Sequence, residues 1–301
     1  MSLGVVITTY NRPEKLERCL EHIESQTHLP DEVVIVNDGS QMDYAEVQAR
    51  FSDSRFKWLT IKNQGVSAAR NRGISISTAD YICLCDDDDY FLPHHIAEFH
   101  NIIESLQCPS IVFSHFMELR GTELMPHHAY PKPEHMTWQE HLVSQGMMVV
   151  CCTCMPRIAF IQHPFPEGVK YAEDHEQRLL AMSQYPVKEL HSHTAVVDRT
   201  DESATNQSVA NIASTYRRRF KTLFSHPSIR PHIRPSIRKA QVFRWTSLHL
   251  HELLNEGQLT ILDILRGLKQ IRSLHNARSM AFILRRWAIA KNKAANSPNA
   301  L

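Results

Sequence analysis

An apolar run, Tyr81-Ile82-Cys83-Leu84-Cys85, ends directly in four consecutive aspartates, Asp86 to Asp89. Apolar residues without polar alternation suit a strand covered on both faces, so the aspartates mark where a buried strand emerges into solvent. A strand of that kind needs helices above and below it, which points the chain to an α/β architecture. Like charges at this density want a cation, and hard carboxylate oxygens suit magnesium or manganese. The alternative is a solvated charge run, but such runs seldom follow a fully buried strand, and open α/β sheets hold ligands at the carboxyl ends of their strands.

A strand-then-helix rhythm precedes that run. Leu3 to Thr9 is apolar and rich in β-branched residues, Pro13 suits the first turn of a helix, and Leu16, Cys19, Leu20 and Ile23 recur at helical spacing. Val33 to Val36 predicts a second strand ending in Asn37-Asp38-Gly39-Ser40, Phe56 to Ile61 a third, and Ser67 to Ile76 a short helix after Gly65. The alternation predicts a nucleotide-binding, mostly parallel sheet flanked by helices. Neither a G-x-G-x-x-G fingerprint nor a phosphate loop ending in Gly-Lys-Ser/Thr is present, so the metal must supply the phosphate cradle.

The 301 residues, 43% hydrophobic and 22% charged, suffice for one large domain or two. The net charge of +1 hides an asymmetry: residues 1–206 hold 16 Lys+Arg against 29 Asp+Glu, whereas 207–301 hold 17 against 3. An acidic body, 1–206, and a basic helical C-terminal region, 207–301, are therefore expected as two domains, the second punctuated by Pro227, Pro231 and Pro235. The longest apolar stretch, Met147 to Cys152, is far short of the ~20 residues a spanning helix needs, and the amino terminus does not read as a signal peptide. Seven scattered cysteines agree with a reducing compartment, so a cytoplasmic location is expected. Cys151-Cys152-x-Cys154 lacks a second ligand pair at zinc spacing and reads as part of a buried strand.

Five segments taken together resemble glycosyltransferase family 2, the large group of A-type sugar-nucleotide transferases. They are Val5-Val6-Ile7-Thr8-Thr9-Tyr10-Asn11-Arg12-Pro13, Val33-Val34-Ile35-Val36-Asn37-Asp38-Gly39-Ser40, Asn63-Gln64-Gly65-Val66-Ser67-Ala68-Ala69-Arg70-Asn71-Arg72-Gly73, Asp86 to Asp89, and Tyr171-Ala172-Glu173-Asp174-His175-Glu176. The resemblance spans about residues 3 to 185 and stops before the basic tail. It implies an A-type fold and metal-dependent, inverting transfer of a sugar from a nucleotide-sugar donor, commonly a UDP-sugar, to a hydroxyl acceptor. It further implies that Asp38 reads the base, Thr8 and Tyr10 line the same pocket, and Arg70 contacts the nucleotide. The family's D-x-D aligns best with Asp86 near the ribose and Asp88 on the metal, Mn2+ or Mg2+. Because all four positions are aspartate, Asp87 or Asp89 could take either role.

Each position also has a bland reading. Asp38-Gly39 after a strand is a common turn, Thr8 and Tyr10 can be ordinary strand-end residues, and Arg70 on a short polar helix can be a solvated face. The resemblance implies Asp174 as general base at the start of a helix carrying Leu179, Leu180 and Met182; acidic residues also favour the first turn of any helix. Among nineteen histidines, His191-Ser192-His193 is the pair to name, since some A-type transferases complete the metal shell with a late histidine. Where the family often has that histidine, this chain offers Asp198 or Arg199.

Ile261, Leu262, Leu265, Leu268, Ile271 and Leu274 alternate with Arg266, Lys269 and Arg272, and Ile283, Leu284 and Trp287 sit beside Arg285, Arg286, Lys291 and Lys293. Amphipathic basic helices over 261–293 fit peripheral contact with an anionic membrane beside a lipid-linked or saccharide acceptor, or packing on the body. Bacterial surface-polysaccharide or glycolipid synthesis is the usual setting of such chains. Two other functional classes fit the sequence less well. A nucleotidyltransferase of related topology lacks its glycine- and arginine-rich loop here, and nucleic-acid binding through Tyr216-Arg217-Arg218-Arg219-Phe220 leaves Asp38 and the aspartate run unexplained.

Overall fold

A computed structural model describes residues 1–127, 131–145, 148–169, 171–199 and 209–255. Two compact units divide the chain, Met1–Ala204 and Thr205–Leu301.

The first unit opens with strand β1 (Leu3–Thr9), helix α1 (Pro13–Glu24), β2 (Glu32–Asn37), α2 (Ala45–Arg50), β3 (Phe56–Thr60), α3 (Val66–Ile76) and β4 (Tyr81–Asp86). Every residue of β1 and β2 is buried, which is why these strands read as unbroken apolar runs. Proline opens α1, where its missing N–H costs nothing, and Leu16, Cys19, Leu20 and Ile23 form its buried face. Burying each such Leu or Ile contributes about 1.5–3 kcal/mol. Gly73 lets α3 lie close on the sheet: a Cβ there would fall 2.4 Å from Val6 Cγ1 and 3.0 Å from Val36 Cγ2.

The chain continues through β5 (Tyr90–Phe91), α4 (His95–Ser105), β6 (Ile111–Arg120), β7 (Glu123–Pro126), α5 (Trp138–Gln145), β8 (Thr153–Pro156), α6 (Arg157–Gln162), α7 (Glu173–Ala181) and β9 (Val187–Asp198). Among the described residues the strands form one nine-stranded sheet ordered β3-β2-β1-β4-β8-β6-β9-β5, with β7 on β6. It is parallel through β3-β2-β1-β4 and turns antiparallel at β8, with one more parallel pair, β6 and β9. The parallel part stacks Thr8 against Asp86 and Thr9 against Asn37, so three strand ends open on one edge. Cys151 and Cys152 are buried as expected, but they lie in a 3-10 turn, Val150–Cys152, and the strand begins only at Thr153. All seven cysteines are free thiols, and only Cys108 is exposed.

In the second unit α8 (Val209–Leu223) and α9 (Pro235–Asn255) pack on each other, with Tyr216 stacked on Trp245 at 4.4 Å between ring centroids. Phe220 is buried too, so the two aromatics beside the arginine run are used in packing. The amphipathic stretch 261–293 lies outside the described residues. Among the described residues no helix is long and apolar enough to cross a membrane.

Candidate active site

The four aspartates differ once folded. Asp86 and Asp88 keep solvent access, at 29% and 20% of their side chains, whereas Asp87 has none. Asp89 turns inward, and its Oδ1 accepts the Asp198 N–H at 3.2 Å. Four adjacent carboxylates cannot all ionise cheaply. Burial pushes Asp87 up to about 7 against the pull of Arg12, and pushes Asp89 up to about 8, with Asp86 and Asp88 adding to it. The remaining charge is met by arginines. Arg12 Nη2 lies 2.5 Å from Asp87 Oδ1 and its Nη1 2.8 Å from Asp88 Oδ2, while Arg70 Nη2 donates to both Asp86 oxygens at 2.7 and 2.9 Å.

Two loops are latched beside them. Asn11, in the left-handed region at φ 55, accepts the Gln41 N–H on its side chain, and its own N–H reaches Ser40 Oγ. The Tyr44 hydroxyl joins Thr9 Oγ1 and accepts the Arg12 N–H, each at 2.9 Å. Asp38 is buried, and its two oxygens accept the Gln64 and Gly65 N–H groups at 2.9 Å, fixing the approach to α3. Each oxygen retains a second acceptor lone pair. Gly39 (φ 72) permits the turn: a Cβ would meet Asn63 N at 2.5 Å. Thr8 is buried at the end of β1, and Tyr10 is 44% exposed just beyond it.

Arg70 ties this strand-end cluster to the start of α7. Its Nη1 donates to Glu173 at 3.1 Å, and its guanidinium lies over the Phe165 ring at 5.2 Å. Asn71 holds the Phe165 backbone with paired 2.9 Å hydrogen bonds. Burial opposes the Arg70 charge, yet Asp86, Glu173 and Asp174 together raise its pKa. Ala172, at φ 63, turns the chain sharply into the helix, a strained conformation of the kind that clusters at functional sites. Asp174 follows, with Oδ1 3.0 Å from His175 Nδ1 and Oδ2 2.9 Å from Arg178 Nη1. Burial works against its charge, but His175 and then Arg178 prevail and hold the carboxyl well below the usual range. Glu173 moves the other way, raised by burial and by Asp174.

The Asp-rich strand end, the Asp38 turn and the Glu173-Asp174 helix start fall within or close to a stretch matched by one family model. A model described as glycosyl transferase family 2 covers residues 4–163, more than half of the chain. The chain belongs to glycosyltransferase family 2. Relatives include the uncharacterized glycosyltransferase YwdF of Bacillus subtilis (strain 168), 41% identical over 106 residues that make up 35% of this chain and 39% of the relative. Glycosyltransferase GlyA of Streptococcus pneumoniae is 32% identical over 116 residues, 38% of this chain and 17% of the relative. The matches thus span two fifths or less of these relatives' length. Among solved structures, S. aureus TarS 1-349 in complex with UDP-GlcNAc is 15% identical with a TM-score of 0.63, covering 95% of this chain and 80% of that one. The mannosyltransferase PcManGT from Pyrobaculum calidifontis, in complex with GDP-Man and Mn2+, is 16% identical with a TM-score of 0.58, covering 98% and 88%. These two likenesses establish the A-type fold for this family 2 chain.

Of the residues expected from the family 2 resemblance, Thr8, Asp38, Asp86 and Asp88 lie at the ends of β1, β2 and β4, and Arg70 on α3 links Asp86 to Glu173, the neighbour of Asp174. Asp198 adjoins the aspartate run, its carboxylate 3.0 Å from Arg18 Nη2, which also donates to the Asp88 carbonyl. Arg199 instead turns to Glu118. His191 and His193 do not reach the run: they lie seven and five residues before Asp198 on β9, roughly 15 to 25 Å back along an extended strand. The sequence assigns no role to Arg12, although it lies in the first family-like segment, nor to Tyr44, Phe165 or Arg178. Only Arg178 had a readable signal, its i,i+4 spacing from Asp174.

Proposed function

We propose that this chain is a metal-dependent, inverting glycosyltransferase that moves a sugar from a nucleotide-sugar donor, a UDP-sugar first, to a hydroxyl acceptor. The observation that carries the reading is the Arg70 bridge: one buried guanidinium holds Asp86 at the strand edge and Glu173 at the start of α7. That bridge supports a reading in which the donor site and the acceptor-side carboxylate, Asp174 beside Glu173, act together. The TarS complex with UDP-GlcNAc and the PcManGT complex with GDP-Man and Mn2+ support a nucleotide-sugar donor and a divalent ion.

In this reading the Asp38 carboxylate accepts a hydrogen bond from the base, Thr8 and Tyr10 flank it, and Arg70 contacts the nucleotide. Asp86 faces the ribose and Asp88 holds the metal. That pair has the solvent access a ligand needs, whereas Asp87 is buried against Arg12 and Asp89 is engaged by the Asp198 backbone. A bound Mn2+ or Mg2+ would neutralise the diphosphate as it leaves. Asp174, kept ionised by His175 and Arg178, takes the acceptor's hydroxyl proton as that oxygen attacks the anomeric carbon and the bond to the diphosphate breaks. Arg178 and His175 also fix the direction of that carboxylate.

The acceptor is proposed to be a saccharide or a lipid-linked glycan of bacterial surface-polysaccharide or glycolipid synthesis, reached from the cytoplasmic side. Thermal stabilisation by a panel of nucleotide sugars, with and without manganese, tests the donor class. One sugar nucleotide should raise the melting temperature only when manganese is present; no shift with any member of the panel contradicts the proposal.

A further inference from the structure

A second cluster of metal-ligating side chains stands apart from the aspartate run. His115 on β6 and Glu189 and His191 on β9 bring one imidazole nitrogen, one carboxylate oxygen and another imidazole nitrogen to within 4.8 Å of one another. Glu189 Oε1 is shared: it lies 3.1 Å from His115 Nε2 and 3.7 Å from His191 Nδ1. Ligands about 2.1 Å from a tetrahedral zinc ion sit about 3.4 Å from one another, and the two measured separations bracket that spacing.

The backbone explains the convergence. β6 and β9 pair Phe113 with Glu189 and then His115 with His193, so β9 has three residues between these pairs where β6 has one. Bulges of this kind re-aim side chains and are frequent beside functional sites. Here the bulge gathers Glu189, His191 and His193 around one histidine of the neighbouring strand, with the His193 ring centroid 5.7 Å from that of His115. His115 and Glu189 are largely buried, while His191 is 83% exposed, which leaves an entry path from solvent.

We infer that His115, Glu189 and His191 form a zinc site, with His193 or a water as the fourth ligand, clasping β6 to β9 across the bulge. Two imidazoles and one carboxylate favour zinc over magnesium or manganese, which prefer all-oxygen shells. The site is independent of the donor-site reading and uses none of its residues.

Zinc titration of the full-length, chelator-treated protein by calorimetry tests this, using zinc chloride alone as the probe. The wild type should bind one equivalent that Asp88→Asn retains. His191→Ala, a change at an exposed position, should weaken that binding at least about tenfold, and His115→Ala should do the same. Cobalt substitution should give the visible absorption of a four-coordinate ion in wild type and lose it in His191→Ala. Zinc affinity unchanged in both His115→Ala and His191→Ala, or absent in wild type, overturns the inference. So does a zinc affinity lost in Asp88→Asn but kept in His191→Ala, which would place the ion among the aspartates.

Discussion

Arg70 grips Asp86 with a single nitrogen, Nη2, at 2.7 and 2.9 Å from the two carboxylate oxygens, leaving Nη1 to hold Glu173 at 3.1 Å. A residue with one charged head serves two elements far apart in sequence. Lysine cannot copy this, because a point ammonium lacks the planar fork.

Arg70→Met should therefore cost about 3 kcal/mol of unfolding free energy, since it strands two partly buried carboxylates. Arg70→Lys should recover less than half of that loss. Urea denaturation of the three proteins checks the order. Equal stability of Arg70→Met and wild type would show that the bridge contributes nothing.

The Asp38 turn depends on backbone space as much as on charge. At Gly39 a Cβ would sit 2.5 Å from Asn63 N, while at Gly65, also at positive φ, nothing lies within 4 Å. Gly39→Ala should destabilise by about 2–4 kcal/mol through left-handed strain plus overpacking, and Gly65→Ala by about 1–2 kcal/mol through strain alone. Thermal melts of both variants should preserve that ranking, and the reverse order would disprove the assigned turn.

His95 gives the fold an acid-sensitive element. It is fully buried, stacked on Phe91 at 3.6 Å, with Nδ1 2.8 Å from Thr194 Oγ1. Burial lowers its pKa from 6.5 to about 3. Between those values the unfolded chain binds the extra proton, so the stability His95 supports is present above pH 6.5 and is lost as pH falls toward 3. Going from about pH 7.5 to about pH 5.5, wild type should lose about 1 kcal/mol more than His95→Asn. Parallel pH slopes for the two proteins would refute this.

The strands β1, β2 and β4 were legible because each is buried on both faces and writes an unbroken apolar run. Pro13 and the spacing of Leu16, Cys19, Leu20 and Ile23 likewise announced α1. The antiparallel continuation through β8 and β6 left no local trace, since pairing between residues such as Val112 and Cys154 is a tertiary event. At the site, residue types pointed to Asp38, Arg70 and the aspartate run, but identical neighbours could not disclose which aspartates face solvent; burial separates them. Arg12 and Tyr44 sit in polar loops where no periodicity marks a partner, although they latch the site together. Of the residues in the proposed zinc site, the sequence singled out His191 and His193, while His115 and Glu189 left no trace because the bulge in β9 brings them together.

Arg12 contacts both Asp87 and Asp88, so these two carboxylates should respond differently to an added ion. Asp88→Asn should abolish manganese-dependent stabilisation by a nucleotide sugar while changing the melting temperature of the protein alone by only a few degrees. Asp87→Asn, at a buried position, should affect the bare protein more and retain a response to manganese. Differential scanning fluorimetry separates the two, and loss of the manganese response in Asp87→Asn alone would shift the metal role to Asp87.

The most direct test is the rate at which nucleoside diphosphate is released from a nucleotide sugar by wild type and by Asp88→Asn, each with manganese and with chelator. Release by wild type should require manganese and fall about a hundredfold or more in Asp88→Asn. Equal rates in the two proteins, or a wild-type rate indifferent to chelator, would contradict a metal-assisted departure of the diphosphate at this strand edge.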